Sequence, residues 1–165
     1  VPVKHGIPAV GYALIEKDRV KIDKAKAGKL GLPEKGLIYK ELKETGETVF
    51  NKKKILLNEI SFIDKGKKVV YSGDTMATKN IIKIAQNADL LIHDSTFFTD
   101  ISEGEKNYRH STPEDVIKIA KEADVKEVIL THISRRYQDL QELKDKIKDY
   151  GNVRLAKDFM KVVIK

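Results

Sequence analysis

From residue 67 onward, short apolar runs alternate with amphipathic ones. VVYS (69–72) reads as a buried strand, and NIIKIAQNAD (80–89) carries its apolar residues at helical spacing. LLIH (90–93) is again strand-like and is followed, after an insertion, by STPEDVIKIAKEAD (111–124). There Thr112, Pro113 and Asp115 supply an N-cap, an N1 proline and an acidic N3, which together start a helix. EVILTH (127–132), the helical LQELKDKIKDY (140–150), VRLA (153–156) and KVVIK (161–165) complete the series. Strands alternating with helices predict an α/β layer with much parallel pairing.

The first third breaks this rhythm. GYALIE (11–16) suits a strand, but residues 20–45 are rich in Lys and Gly, weakly periodic and interrupted at Gly31-Leu32-Pro33. Residues 17–45 read as an inserted arm with little core of its own. FNKKKILLNEISFID (50–64) then returns to short strand-like runs with hairpin-like breaks.

Composition narrows the class. The chain has 165 residues, 41% of them hydrophobic, enough for one domain with a sizeable core. No apolar stretch approaches the length of a membrane span and no signal-peptide pattern opens the chain, so a soluble, cytoplasmic protein without membrane contact is expected. The lack of cysteine excludes disulfides and thiolate metal sites. The chain begins on Val1 rather than Met and runs straight into a strand-like pattern, as a piece of a longer protein would.

The net charge of +7 points to an acidic partner, nucleic acid being the simplest. Residues 17–43 hold nine Lys or Arg against four Asp or Glu, so most of the excess sits in the arm. Lys- and Glu-rich composition also marks thermophilic proteins. Charge alone therefore leaves both a functional basic segment and a solvated face open.

Candidate chemistry gathers at the strand ends, where open α/β sheets bind their ligands. In KKVVYSGDT (67–75) the strand run stops on Ser72-Gly73-Asp74-Thr75. The next two runs end in His93-Asp94-Ser95-Thr96 and in Thr131-His132-Ile133-Ser134-Arg135-Arg136-Tyr137. Of four histidines, His93 and His132 occupy strand ends, His110 directly precedes a helix start, and His5 precedes the first strand. Imidazole and carboxylate are the usual zinc or manganese ligands where cysteine is absent. Singly, each has a plainer reading: Asp74 as a helix N-cap, His93 as a buried imidazole bonded to backbone, His110 as a loop residue. Together they favour a site, without saying which reaction it runs.

The motifs from His5-Gly6-Ile7-Pro8-Ala9-Val10-Gly11-Tyr12 through SGDT, HDSTF, HST and LTHISRRY to Ala156-Lys157-Asp158-Phe159 resemble the ribonuclease Z family, its archaeal-like members in particular. The resemblance covers almost the whole chain. It implies a zinc-dependent endoribonuclease that removes the 3′ trailer of precursor tRNA, built on the αβ/βα four-layer sandwich of the metallo-β-lactamase fold. The present chain would be the C-terminal half of that α/β sandwich plus the basic arm. The resemblance makes His5, Asp74 and His132 metal ligands, with Asp74 bridging two zinc ions. It makes Asp94 and His110 the catalytic pair that protonates the leaving oxygen, with Asp94 where many members carry Glu. Arg136 and Tyr137 match a substrate-contacting pattern, and Lys21, Lys24, Lys26 and Lys29 fall in the tRNA-clamping arm. The family's His-x-His-x-Asp-His motif is absent from this sequence. The lone chain is therefore expected to be inactive, its partners being precursor tRNA and either the missing N-terminal half or a second copy, since family members are homodimers. Two alternatives stand beside this: a non-catalytic nucleic-acid-binding fragment, and a hydrolase of other phosphodiesters on the same fold.

Overall fold

The computed structural model describes residues 1–97 and 109–164. The insertion expected after LLIH falls largely on residues 98–108, outside the described residues. Two compact units emerge, one formed by Val1–Ile15 with the residues from Lys67 on, the other by Glu16–Gly66.

In chain order, β1 (Pro2–Val3) pairs antiparallel with β2 (Ala9–Val10), and β3 (Tyr12–Ile15) follows. The second unit then holds β4 (Arg19–Ile22), α1 (Lys24–Lys29), α2 (Ile38–Thr45), β5 (Glu47–Phe50), β6 (Lys53–Leu56) and β7 (Ser61–Asp64). Two antiparallel pairs, β4 with β7 and β5 with β6, frame a cluster of Ala27, Leu32, Leu42, Ile55 and Ile60. Within the arm, Ala27, Leu32 and Leu42 are buried, while Leu30 and Leu37 stay exposed. Residues 17–45 lie within a unit that extends to Gly66, and their buried side chains pack against Ile55 and Ile60 of the segment that follows.

The first unit resumes with β8 (Lys68–Tyr71), α3 (Lys79–Ala85), β9 (Leu90–Asp94), α4 (Pro113–Glu122), β10 (Glu127–Thr131), α5 (Gln141–Ile147) and β11 (Val153–Leu155). These strands form a five-stranded sheet of order β11-β10-β9-β8-β3. All neighbours run parallel except β3, which is antiparallel to β8. The predicted alternation is therefore the observed one. KVVIK is different: residues 161–164 form no strand, with Val163 77% exposed and Val162 and Ile164 half-buried.

Register sorts the two faces of the sheet. Val70, Leu91, Val128 and Val153 stand in one row and meet Ile81, Ala85, Val116, Ala120, Leu143 and Ile147 of the three helices in a single core. On the other face Leu90 and Ile129 are buried, but Tyr12, Leu14 and Tyr71 near the β3 edge are 64%, 74% and 45% exposed. Parallel pairing places the carboxyl ends of β8, β9 and β10 side by side, and the loops that follow them build the site.

Candidate active site

The SGDT turn follows β8 directly. Gly73 takes a left-handed φ of +63°, and a Cβ there would sit 2.8 Å from the Val10 carbonyl oxygen, so only glycine fits. The turn is sewn to its neighbours by buried hydroxyls. Thr75 Oγ1 accepts from the Lys4 amide at 3.2 Å and lies 3.1 Å from the Lys4 carbonyl. These bonds bring His5 to the SGDT turn. Ser111 Oγ donates to the Thr75 carbonyl at 2.7 Å, tying in the loop before α4. That helix starts as expected, with Pro113 at its first position and a capping box between Thr112 and Asp115, and this fixes His110 two residues upstream.

Asp94, the last residue of β9, is the hub. Its side chain is fully buried and its two oxygens accept four hydrogen bonds. Oδ1 takes the Thr96 amide at 3.0 Å and the Thr96 hydroxyl at 2.6 Å. Oδ2 takes the Thr75 amide at 2.9 Å and His110 Nδ1 at 2.5 Å. A carboxylate offers about four lone-pair positions, so Asp94 is saturated within the protein. Because it accepts, His110 carries its proton on Nδ1 and leaves Nε2 free for chemistry.

His132 follows β10 in a left-handed conformation, φ +59°, and Arg109, just before His110, has φ +54°. Such backbone costs roughly 1–3 kcal/mol per non-glycine residue and persists where surroundings impose it. His132 stacks on His110 with ring centroids 5.0 Å apart, and His5 meets His110 edge-on at 4.8 Å. His132 Nε2 lies 3.6 Å from Asp74 Oδ2, both side chains being open to solvent.

Asp94, His110 and His132 bring potential donor atoms within 4.8 Å of one another. Asp94 has no lone pair to spare, however, so as a trio they do not suit a metal ion. Asp74 has His132 as its partner among the described residues, and His5 Nδ1 is buried with no hydrogen-bond partner among them. An unpartnered imidazole nitrogen, and a carboxylate facing a second imidazole, are donor types that a borderline cation of the zinc kind takes.

The remaining candidates divide. His93 is fully buried on the helical face of β9, and its Nδ1 donates to the Asp94 carbonyl at 2.8 Å, the plainer of its two readings. Burial pushes its imidazole below the ordinary range, outweighing that bond and the charges of Asp94 and Asp115. Arg136 stacks on Phe97 at 4.7 Å and on Tyr137 at 5.0 Å, and bonds the Tyr137 hydroxyl at 3.0 Å. Lys21 is paired with Asp64 at 2.7 Å, while Lys24, Lys26 and Lys29 all lie on α1 in the second unit. Sequence reasoning passed over Thr75 and Thr96, whose letters in SGDT and HDST read as turn chemistry.

Residues 51–133 match the family model described as Beta-lactamase superfamily domain, and the chain belongs to that family. Within it, Ribonuclease Z of Archaeoglobus fulgidus is 40% identical over 167 residues, covering 98% of this chain and 54% of its own length. Ribonuclease Z of Bacillus velezensis is 36% identical over 170 residues with the same coverage. The short form of human tRNase Z is 30% identical, with a TM-score of 0.47 over 71% of this chain and 41% of that one. The chain spans about half the length of the curated relatives it matches.

Proposed function

We propose that this chain is the C-terminal half of a zinc-dependent, cytoplasmic endoribonuclease that removes the 3′ trailer from precursor tRNA. The observation that carries the reading is the Asp94–His110 pair at 2.5 Å, with the rings of His5 and His132 against His110. The relatives named Ribonuclease Z support the substrate.

His5, Asp74 and His132 would hold zinc, which supplies Lewis acidity and lowers the pKa of water bound to it. His110, held by Asp94 through Nδ1, presents Nε2 to the departing 3′ oxygen. As the phosphorus–oxygen bond breaks, protonated Nε2 gives its proton to that oxygen, a step typically worth ~10²–10⁴-fold. Arg136 and Tyr137 contact phosphate or the acceptor end. Lys21, Lys24, Lys26 and Lys29 hold the tRNA through phosphates and shape, with little reading of sequence.

Catalytic zinc usually has three protein ligands plus water. Three ligands shared between two ions leave both underbound, so the remaining ligands come from a His-x-His-x-Asp-His segment in the rest of the protein, which also covers Tyr12, Leu14 and Tyr71. The complete protein works as a homodimer. The absence of that motif from this sequence favours a second reading for the isolated chain, a folded nucleic-acid-binding piece without catalysis.

The test is a precursor-tRNA cleavage assay on the intact protein carrying this chain and, in parallel, on the 165 residues alone. Zinc-loaded intact protein should release the trailer, a chelator should stop it, and the lone chain should cut nothing. An intact, zinc-loaded protein that binds the precursor without cutting it would favour the binding reading.

A further inference from the structure

Thr96 Oγ1 lies 2.6 Å from Asp94 Oδ1 and 2.8 Å from His132 Nδ1. A hydroxyl carries one proton, so it can donate to only one of these neighbours. Asp94 is a fully buried carboxylate that already accepts two backbone amides and His110 Nδ1, and it has nothing to give back. The hydroxyl proton must therefore point at Asp94 Oδ1. Its lone pair is left facing His132 Nδ1, and that contact is a hydrogen bond only if Nδ1 bears the imidazole proton. A neutral histidine protonated on Nδ1 has a bare Nε2, and in His132 that atom is the one 3.6 Å from Asp74 Oδ2.

We propose that Thr96 is a positioning residue that fixes the tautomer and ring orientation of His132, so that its Nε2 lone pair faces Asp74. This rests on the reading of His132 as a metal ligand given above. The bond polarity runs one way from His132 Nδ1–H through the Thr96 hydroxyl to Asp94, where it meets the bond from His110 Nδ1–H. One carboxylate thereby sets the tautomers of both histidines, leaving one Nε2 for a metal and the other for the leaving oxygen. Threonine suits the task because its branched Cβ restricts χ1 and its own amide also bonds Asp94 Oδ1.

Long-range ¹H–¹⁵N correlation spectra of the imidazoles, recorded on the metal-free intact protein well above the ordinary histidine pKa of about 6.5, read the tautomer directly. His132 should be protonated on Nδ1 in the wild type and in Thr96→Ser, and should shift toward the Nε2-protonated form in Thr96→Val. Zinc affinity should fall roughly 10–100-fold in Thr96→Val, the usual cost of losing a residue that orients a ligand, and Thr96→Ser should restore it. Wild-type His132 protonated on Nε2, or a tautomer unchanged in folded Thr96→Val, overturns the proposal. Should Thr96→Val fail to fold, the wild-type and Thr96→Ser spectra still decide. The tautomer readout needs neither zinc nor RNA, so a failed tRNA assay leaves it standing.

Discussion

Strand β9 has a buried carboxylate at each end of its core, Asp89 just before Leu90 and Asp94 at its close, and the two are held differently. Asp89 accepts the Lys68 amide at 2.8 Å and the Lys126 ammonium at 2.7 Å. Burial raises its pKa, but the Lys126 bond, the Lys68 amide and the charges of Lys126 and Lys67 outweigh this and hold it below the ordinary value. Its partners are a backbone amide and a fixed cation, so it ties the starts of β8, β9 and β10 together and has nothing to exchange. Asp94 faces an imidazole and a hydroxyl that leads to a second imidazole. A buried charge is not in itself the mark of a site. What distinguishes Asp94 is that its partners can move protons and that it stands at the carboxyl end, where the loops converge.

The comparison breaks most visibly under isosteric substitution. Asp94→Asn, which introduces an NH₂ among four donors, should slow precursor cleavage in the intact protein by ~10²–10⁴-fold through loss of His110 orientation. Asp89→Asn should leave cleavage per folded molecule unchanged and instead destabilise the fold by roughly 1–3 kcal/mol near neutral pH, the scale for losing hydrogen bonds to a buried charge.

The pH dependence of Asp89 sharpens the contrast. Its folded pKa lies below the ordinary 3.8. The folded state therefore binds fewer protons than the unfolded state around that pH, and the stabilisation is complete above the unfolded value and lost as pH falls through the folded one. Urea midpoints should separate wild type from Asp89→Asn at pH 7 and converge only as pH falls below 3.8, through the lowered folded pKa. Midpoints that stay parallel throughout would assign the effect to packing.

The smallest effect concerns the second unit. Replacing Lys24, Lys26 and Lys29 by Ala should weaken tRNA binding and reduce the slope of log K against log salt by about 0.7–0.9 per lost phosphate contact. Cleavage at saturating RNA should be unaffected. An unchanged slope in a filter-binding titration would remove α1 from the RNA surface.

These regions also differ in how far the sequence exposes them. The layer of β8 to β11 with α3 to α5 was legible because each element carries its own period, and the α4 start because its cap is local. The core of Glu16–Gly66 was not, since Leu42, Ile55 and Ile60 come from separate weak segments and meet only through the β4–β7 and β5–β6 pairings. KVVIK has strand composition, but among the described residues it has no pairing partner to realise it. At the site, residue type with position at strand ends brought out Asp74, Asp94 and His132, and position before a helix start brought out His110. The four bonds on Asp94 could not be read that way, because two come from backbone amides and one from a threonine that looks like a turn residue.

The separation between metal-holding and proton-donating residues is tested by one paired measurement: zinc content and precursor-tRNA cleavage of intact Asp74→Ala and His110→Ala. Asp74→Ala should lose zinc and cleavage together. His110→Ala should keep its zinc and cleave ~10²–10⁴-fold more slowly, as loss of a general acid alone predicts. Equal zinc loss in both variants, or wild-type cleavage by His110→Ala, would contradict it.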